Sequence, residues 1–269
     1  MNSVIKNSVI GYPLEHSLSP ILHNELYCLL GIEAELIKDE DDDIKNLVSR
    51  IRNKPYGLTA VTMPHKQSII EYLDEVEDNA LEINSVNTIV NKKGKLFGYN
   101  TDVYGIEYAL RDVEIKNKSV LIIGAGGVAR PVTYFISQAG GKPLFSNRTR
   151  EKAEALVKDF GGRVVEMEEL KSENVDIIIN TTPIGMSPDF DSSPVPRDFL
   201  LDRHIVFDII YNPLETKLLQ DAKFAGAKVI SGLDMFIAQG TRQIELWRDI
   251  KIDIGKHFDK LKELLINKI

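Results

Sequence analysis

The second half of the chain alternates short apolar runs with segments long enough for a helix. The run at 119–123 precedes a glycine-rich turn and a helical pattern, and four more runs follow: KPLFSN, VDIIINTTP, HIVFDIIY and AKVIS. Parallel strands covered on both faces are apolar throughout, and helix-length crossovers join them. The pattern therefore predicts a parallel sheet with helices on both faces.

The first hundred residues alternate strand-like and helix-like segments less regularly. A helix is expected over 20–30, with Ser19 as its N-cap, Pro20 at the first helical position and Gly31 at its end. The acidic run at 39–43 is expected to form the exposed start of another helix. This mixture indicates a second α/β unit.

The other segments of this half fit the same interpretation. Strands are predicted for NSVIGYP, AELIK and LTAVTMP, helices for QSIIEYL and DNALEIN, and a hairpin turning at Gly94 for NTIVNKKGKLFGYN. The tail from about Ile237 has a helical pattern with no further strand. From the pattern alone, this tail could cover the second half or fold back onto the first.

Composition and charge narrow the classes of protein. A chain of 269 residues with 43% hydrophobic and 27% charged residues is typical of one large or two ordinary globular domains. The net charge of −7 argues against broad nucleic-acid binding, which requires a basic face. No apolar run approaches the ~18 residues needed to span a membrane, and the start lacks a signal-peptide core. We expect a cytoplasmic protein without membrane or nucleic-acid partners.

Cysteine and histidine usage argues against a metal site. The single cysteine, Cys28, excludes an internal disulfide and a thiolate zinc cluster, and its helical context predicts an inert, buried or half-buried thiol. The histidines lack the spacing of metal ligands; they are His16, His23, His65, His204 and His257.

The turn GAGGVARP has the form of a dinucleotide-binding turn. Gly124 permits a tight turn, Gly126 lets the backbone approach a pyrophosphate, and Ala129 takes the third small position. Amide groups at the start of the helix then face the anion. The turn follows a strand and opens a helix, as this function requires. A purely structural tight turn is the alternative.

The end of the next predicted strand indicates which dinucleotide is bound. NAD sites usually carry an acidic residue about 20 residues after the first glycine, to bind the ribose hydroxyls. Here the segment is SNRTREK, with Arg148 at that place and Arg150 and Lys152 after it. A guanidinium can bind a 2′-phosphate bidentately. NADP is therefore favoured over NAD. The alternative interpretation of these basic residues is an exposed helix start that binds no phosphate.

Polar residues cluster at predicted strand ends in the first half. Lys66 lies in TMPHK, Asn87 in SVNT and Asp102 in GYNTD. A surface lysine and a helix-capping aspartate are the simple alternatives for Lys66 and Asp102. The segment GYPLEHSLSPILHN also contains more hydroxyls than one helix start needs, because Ser17 has no capping role beside Ser19.

Together these motifs resemble the shikimate dehydrogenase family. The matching stretches follow one another in family order from residue 11 to residue 240: GYPLEHSLSPILHN, TMPHK, SVNT, GYNTDVYG, GAGGVAR, NRT, NTTPIGM, DIIYNPLETKLL and GLDMFIAQG. Nearly the whole chain is covered, and several motifs together are far more specific than any one.

The resemblance implies a set of functional residues. Its catalytic pair matches Lys66 and Asp102. The residues implied to bind the substrate are Ser17, Ser19, Thr62, Lys66, Asn87, Asp102, Tyr211 and Gln239. Those implied to bind the cofactor are Asp78, Gly124, Ala125, Gly126, Gly127, Val128, Asn147, Arg148, Thr149, Lys152, Ile209 and Gly232.

The resemblance also implies the architecture and the reaction. A substrate-binding catalytic domain is expected at 1–101 and 238–269, and a Rossmann-like, doubly wound NADP-binding domain at 102–237, with the active site in the cleft between them. The expected reaction is the reversible, NADPH-dependent reduction of 3-dehydroshikimate to shikimate in aromatic amino acid biosynthesis, by a monomer or homodimer. A quinate/shikimate dehydrogenase with relaxed substrate or cofactor use is one alternative. A non-catalytic NADP-binding protein on the same fold is another.

The chain departs from the family pattern at three positions. Ala60 replaces a usual asparagine, Asn84 a usual glycine and Ile209 a usual methionine. Our hypothesis is that Ala60 costs some affinity for shikimate and leaves room for a differently substituted ring.

Overall fold

The computed structural model describes residues 4–54, 56–186 and 188–268, and all their side chains except those of residues 171 and 172. The chain folds into two compact units. The first comprises the described residues up to Tyr104 together with Ile237–Lys268, and the second comprises Gly105–Phe236. The outermost residues of the expected domains, 1–3 and 269, lie outside the described part.

The first unit contains a mixed sheet. Its strands are β1 (Ile5–Gly11), β2 (Ala34–Glu40), β3 (Leu58–Val61), β4 (Glu75–Val76), β5 (Thr88–Lys92) and β6 (Lys95–Tyr99). Their order is β2-β1-β3-β5-β6-β4. Strand β1 pairs in parallel with β2 and β3, whereas β5 runs antiparallel to β3 and β6. The predicted hairpin is confirmed, and Lys93 and Gly94 take positive φ in its turn.

The helices associated with this unit carry the local signals seen in the sequence. They are α1 (Ser19–Leu30), α2 (Ile44–Asn53), α3 (Asp78–Ile83), α4 (Asp102–Ala109), α8 (Gly232–Arg248) and α9 (Ile254–Ile266), α8 and α9 being numbered after the helices of the second unit. Gly31 ends α1 in the left-handed conformation, as predicted. The chain passes between the units within α4 and at residues 236–237 of α8.

Two predictions about helix starts were wrong. The N-cap of α1 is Leu18, which makes no side-chain capping bond, and Ser19 is the first helical residue. The acidic run is divided, because Asp39 and Glu40 belong to β2 and only Asp43 caps α2, accepting from the Lys45 amide. In the acidic run the reason is sheet pairing, since Asp39 and Glu40 lie opposite Ile10 and Gly11 of β1.

The second unit contains the predicted parallel sheet. Its strands are β7 (Ser119–Ile123), β8 (Lys142–Ser146), β9 (Arg163–Val164), β10 (Ile177–Asn180), β11 (Ile205–Asp208) and β12 (Lys228–Ser231), in the order β12-β11-β10-β7-β8-β9. Helices α5 (Ala129–Gln138), α6 (Arg150–Phe160) and α7 (Lys217–Phe224) lie in the β7–β8, β8–β9 and β11–β12 connections, and the other two connections contain 3₁₀ turns. Two buried apolar clusters form from opposite sets of strand residues, one including Ile122 and Ile179, the other Leu121 and Ile178. Successive side chains point to opposite faces, so both faces are covered.

Smaller differences from the sequence predictions concern weak signals. The segment QSIIEYL forms a 3₁₀ turn at Ser68–Tyr72 rather than an α-helix, and the two-residue strands β4 and β9 were not predicted. Cys28 is exposed, which corrects the prediction of a buried or half-buried thiol. Within the described ranges, no helix is both long and apolar enough to cross a membrane.

Candidate active site

Lys66 and Asp102 form a close ion pair in the first unit. The Lys66 Nζ lies 2.7 Å from Asp102 Oδ2, and the two side chains are 14% and 6% exposed. The other carboxylate oxygen, Oδ1, accepts a hydrogen bond of 2.7 Å from Asn87 Nδ2. Both oxygens of Asp102 are therefore bound by side chains distant in sequence. The carboxylate is thus committed to Lys66 and Asn87 rather than to capping α4.

Asn87 is held from several sides. Its Oδ1 accepts from the Thr101 amide at 2.8 Å and from Thr88 Oγ1 at 2.7 Å. Its Nδ2 also lies 3.4 Å from Gln239 Oε1. These bonds fix the amide so that its nitrogen faces Asp102. A buried amide with paired oxygen and nitrogen has a defined orientation.

Main-chain bonds bring these side chains together. The Asn87 amide donates to Tyr99 O, and its carbonyl accepts from the Val61 amide at 2.7 Å. The Val86 amide donates to Lys66 O at 2.7 Å. Because β3, β5 and β6 are neighbours in the sheet, the segments that follow or precede them meet at one edge. Sheet pairing thus places Lys66, Asn87 and Asp102 in contact.

The serine-containing loop lies beside Thr62. The Tyr12 amide donates to Met63 O at 2.9 Å. A Cβ on Gly11 would lie 2.5 Å from Thr62 Cγ2, so only glycine permits this approach. Ser17 Oγ accepts from the Ser19 amide at 3.4 Å, while Ser19 makes no side-chain cap for α1. The half-buried hydroxyl of Ser19 is therefore available for a ligand.

Two buried residues that the sequence motifs did not single out also belong to this network, His23 and Gln243. Gln243 lies one helical turn beyond Gln239 on α8, and His23 lies one turn beyond Ser19 on α1. The i, i+4 spacing from a predicted site residue is the signal that could have found both.

The structure explains one family departure, Asn84, and places a second, Ala60. Asn84 ends α3 with φ of 53°, a left-handed conformation that asparagine tolerates better than most residues. Ala60 is buried and lies opposite Thr88 in the antiparallel β3–β5 pair. Opposed residues share a sheet face, and Thr88 Oγ1 accepts from Gln243 on that face. The hypothesis that Ala60 costs some affinity for shikimate and leaves room for a differently substituted ring stays a prediction.

In the second unit the glycine turn has the expected shape. Gly124 has φ of +103°, and a Cβ there would lie 2.7 Å from Thr181 Oγ1. A Cβ on Gly126 would meet no atom within 4 Å, so its backbone faces open space. Ala129 is fully buried in the core beneath α5. The helix starts without a side-chain cap or an acidic residue in its first turn, which leaves amide groups available for an anion.

The segment after β8 exposes one unpaired guanidinium. Arg150 is bound by Glu154 and Glu166. Arg148 is exposed and has no acidic partner among the described side chains. Asn147 Nδ2 donates to Thr149 O at 2.7 Å, which shapes the loop before α6. Lys152 is exposed in the first turn of α6.

The ends of β11 and β12 bring together other predicted residues. Gly232 lies against Ile209, since a Cβ at Gly232 would lie 1.9 Å from Ile209 O. The Tyr211 ring stacks on Phe236, with centroids 4.3 Å apart. Asp78, the remaining predicted cofactor residue, is exposed at the start of α3 in the first unit.

A buried carboxyl organises these strand ends. Asp208 accepts from Asn180 Nδ2 at 3.0 Å, the Ile210 amide at 3.1 Å and Thr216 Oγ1 at 2.7 Å. Asn180 in turn accepts from Thr182. Burial raises the pKa of Asp208 to about 6, against these three bonds, which lower it. The cluster ties the loop after β10 to the loop after β11.

This raised pKa predicts a pH-dependent stability. The folded chain binds the Asp208 proton more tightly than the unfolded chain, so this contribution is full below about pH 4 and lost as the pH rises through about 6. From about pH 4.5 to 7 the loss amounts to about 2 kcal/mol. The Asp208→Asn variant lacks this titrating carboxyl. The free energy of unfolding of the wild type minus that of the variant should therefore fall by about 2 kcal/mol between about pH 4.5 and 7. Urea unfolding followed by circular dichroism measures both values. The exposed Asp191→Asn is the control, and a pH-independent difference for Asp208→Asn would contradict the prediction.

Two features together define the class of protein. One unit is doubly wound and carries a dinucleotide-type glycine turn, and the other holds a shielded lysine–carboxylate pair. This combination is that of a dehydrogenase that uses a nicotinamide dinucleotide. Two family models match the chain, the shikimate dehydrogenase substrate binding domain over residues 9–89 and shikimate / quinate 5-dehydrogenase over residues 107–189. The chain belongs to the shikimate dehydrogenase family.

Similar proteins agree with this assignment. Shikimate dehydrogenase (NADP⁺) of Bacillus cytotoxicus is 40% identical over 279 residues and covers 97% of each chain. The enzyme of the same name from Pyrococcus abyssi is 41% identical over 249 residues, 91% of this chain and 93% of that protein. The crystal structure of shikimate 5-dehydrogenase from Thermus thermophilus in complex with NADP(H) and shikimate superposes with a TM-score of 0.88, at 31% identity, covering 97% of this chain and 99% of that one. The resemblance and the fold class predicted from the sequence are confirmed.

Proposed function

We propose that this protein is an NADP-dependent oxidoreductase that interconverts 3-dehydroshikimate and shikimate on the route to the aromatic amino acids. The observation that carries the proposal is the ion pair of Lys66 and Asp102, held at 2.7 Å by side chains at one sheet edge. The choice of shikimate as substrate and NADP as cofactor follows from the family to which the chain belongs.

The chain's own residues handle the proton. When bound, NADPH would supply the hydride for reduction of the ring carbonyl carbon. The Lys66 ammonium donates a proton to the carbonyl oxygen in this direction, and the Lys66 amine accepts it from the hydroxyl in the reverse direction. Asp102 orients Lys66 through Oδ2, and Asn87 orients Asp102 through Oδ1. The proton is thus exchanged at one defined atom, Lys66 Nζ.

Hydroxyl and amide groups of the first unit suit the polar substrate. The hydroxyls of Ser17 and Ser19 are proposed to bind the carboxylate, since neither forms the cap of α1. The ring hydroxyls would be bound by Asn87, Asp102 and Gln239, of which Asn87 contacts the other two. Thr62 and Tyr211 are added from the family pattern. Tyr211 belongs to the second unit, where Phe236 fixes its ring.

The second unit suits NADP. The turn from Gly124 to Val128 would accept the pyrophosphate, because a glycine backbone faces open space before an uncapped helix. Arg148 would bind the 2′-phosphate, with Asn147, Thr149 and Lys152 beside it. Ile209 and Gly232, which lie against each other, are further residues that the family pattern assigns to the cofactor, and Asp78 is a weaker family match. The first unit is accordingly proposed as the catalytic domain and the second as the NADP-binding domain.

An absorbance assay tests this proposal. The purified chain should reduce NADP⁺ to NADPH with shikimate as substrate, seen as a rise at the NADPH absorbance band. Parallel reactions replace shikimate by quinate, and NADP⁺ by NAD⁺. Faster turnover with quinate would favour a quinate/shikimate dehydrogenase instead. Absence of turnover with either substrate would contradict the proposal and leave a non-catalytic NADP-binding protein.

A further inference from the structure

His23 connects α1 to α8 inside the first unit. Its side chain is completely buried. Nδ1 lies 2.9 Å from the carbonyl oxygen of Ser19, and Nε2 lies 2.9 Å from Gln243 Oε1. The ring also packs near Gly240, where a Cβ would lie 3.4 Å from its Cε1. His23 therefore links the residue proposed to bind the substrate carboxylate to a buried amide on another helix.

The amide nitrogen of Gln243 contacts Asn87, one of the residues proposed to bind the substrate. This Nε2 atom donates to the main-chain carbonyl of Asn87 at 3.2 Å and to Thr88 Oγ1 at 3.0 Å. Gln243 is itself buried. A continuous chain of contacts thus runs from Ser19 through His23 and Gln243 to Asn87, and we name it the His23–Gln243 relay.

Secondary structure does not require this relay. The Asn87 carbonyl is already bonded to the Val61 amide within the sheet. Burying two polar side chains costs free energy unless they are paired, and apolar residues could fill the same volume. The pairing of His23 with Gln243 links α1 and the Asn87 segment, both of which carry residues proposed to bind the substrate. This selective linkage points to a role in holding those residues rather than in forming the core.

The hydrogen count of the relay supports that distinction. Both partners of the His23 ring, Ser19 O and Gln243 Oε1, are acceptors. Burial lowers the pKa of His23 to about 4, so at neutral pH the ring carries one hydrogen for two acceptors. A partly satisfied network adds less stability than a fully satisfied one. The relay therefore contributes little net free energy to folding, and its removal is expected to act mainly on the elements that it links.

We propose that His23 and Gln243 are positioning residues that hold Ser19 and Asn87 in the arrangement that binds shikimate. This inference rests on the proposed function. Neither residue needs to touch the substrate. The relay acts through the main chain of Asn87, whose side chain contacts Asp102, and through the first turn of α1, where Ser19 lies.

Two substitutions test the relay. Gln243→Met removes both ends of the amide at similar length, and His23→Leu removes the ring nitrogens. Each should raise KM for shikimate about 5- to 10-fold, the worth of one hydrogen bond. KM for NADP⁺, measured in the same assay, should stay within about twofold, because the proposed cofactor turn lies in the other unit. Thr241→Val is the matched control, since Thr241 is equally buried on α8 and its hydroxyl donates to Ile237 O of the same helix, its one partner among the described residues.

The outcomes separate the inference from the proposed function. A folded variant of either kind with an unchanged KM for shikimate would overturn the relay, while leaving the proposed function intact. Equal rises in both Michaelis constants would also overturn it. If both variants fail to fold and Thr241→Val folds, the pair supports the fold instead of the site, and the inference is wrong. A wild-type chain without shikimate turnover would overturn the proposed function and this inference together.

Discussion

Lys66→Ala is expected to lower kcat for shikimate oxidation by about 10²- to 10⁴-fold, with KM for shikimate changed far less. Removing a positioned general acid–base group costs a factor of this size, or about 3 to 5 kcal/mol of activation free energy. Alanine leaves Asp102 bonded to Asn87 but removes the only atom proposed to exchange the proton. The measurement is the steady-state rate of NADPH formation over a range of shikimate concentrations.

An exposed lysine of the same unit provides the control for Lys66. Lys95 lies on β6 with its side chain in solvent, so Lys95→Ala should keep wild-type kcat and KM. If Lys66→Ala retains more than about a third of the wild-type kcat, a role in proton exchange is excluded, because the expected factor is at least about 10².

Arg148→Ala is expected to raise KM for NADP⁺ about 10- to 150-fold and to leave KM for NAD⁺ nearly unchanged. Only NADP carries a 2′-phosphate, and a charge-assisted contact to it contributes about 1.5 to 3 kcal/mol. The neighbouring Arg150 is occupied by Glu154 and Glu166, so Arg148 is the guanidinium available in this loop. Initial rates with each cofactor at saturating shikimate give the two Michaelis constants.

The control for Arg148 removes a similar charge elsewhere on the neighbouring helix. Lys158 is exposed near the end of α6, so Lys158→Ala tests for a general loss of positive charge and should change neither constant. Equal losses for NADP⁺ and NAD⁺ in Arg148→Ala would show that Arg148 supports the loop rather than binding the phosphate.

The second unit was predictable because its signals are local. Each of its longer strands is a nearly unbroken apolar run, and Gly124 stands at a positive φ in the turn where the sequence placed it. The two-residue strand β9 carries no such signal, because a pair of residues is too short for any periodicity.

In the first unit, the sequence predicted which residues form the candidate site, but it predicted their roles in the local secondary structure less well. The motifs pointed to Lys66, Asn87 and Asp102, and the structure brings these three side chains into contact. The sequence pattern also predicts Ser19 as the cap of α1, yet the helix begins at Ser19 with Leu18 before it. Capping preference favours serine in general, but here the buried Leu18 occupies the capping position and Ser19 is the first helical residue.

The sequence by itself determined the class of each unit, the glycine turn and the identity of the polar residues, because apolar periodicity and glycine stereochemistry act over a few neighbouring residues. Only the tertiary structure decided how those residues are paired. Lys66 and Asp102 are 36 positions apart, and His23 and Gln243 are 220 apart, so no local pattern encodes either contact. Such pairs form when sheet order and helix packing bring distant segments together, because burial makes a polar group without a partner costly.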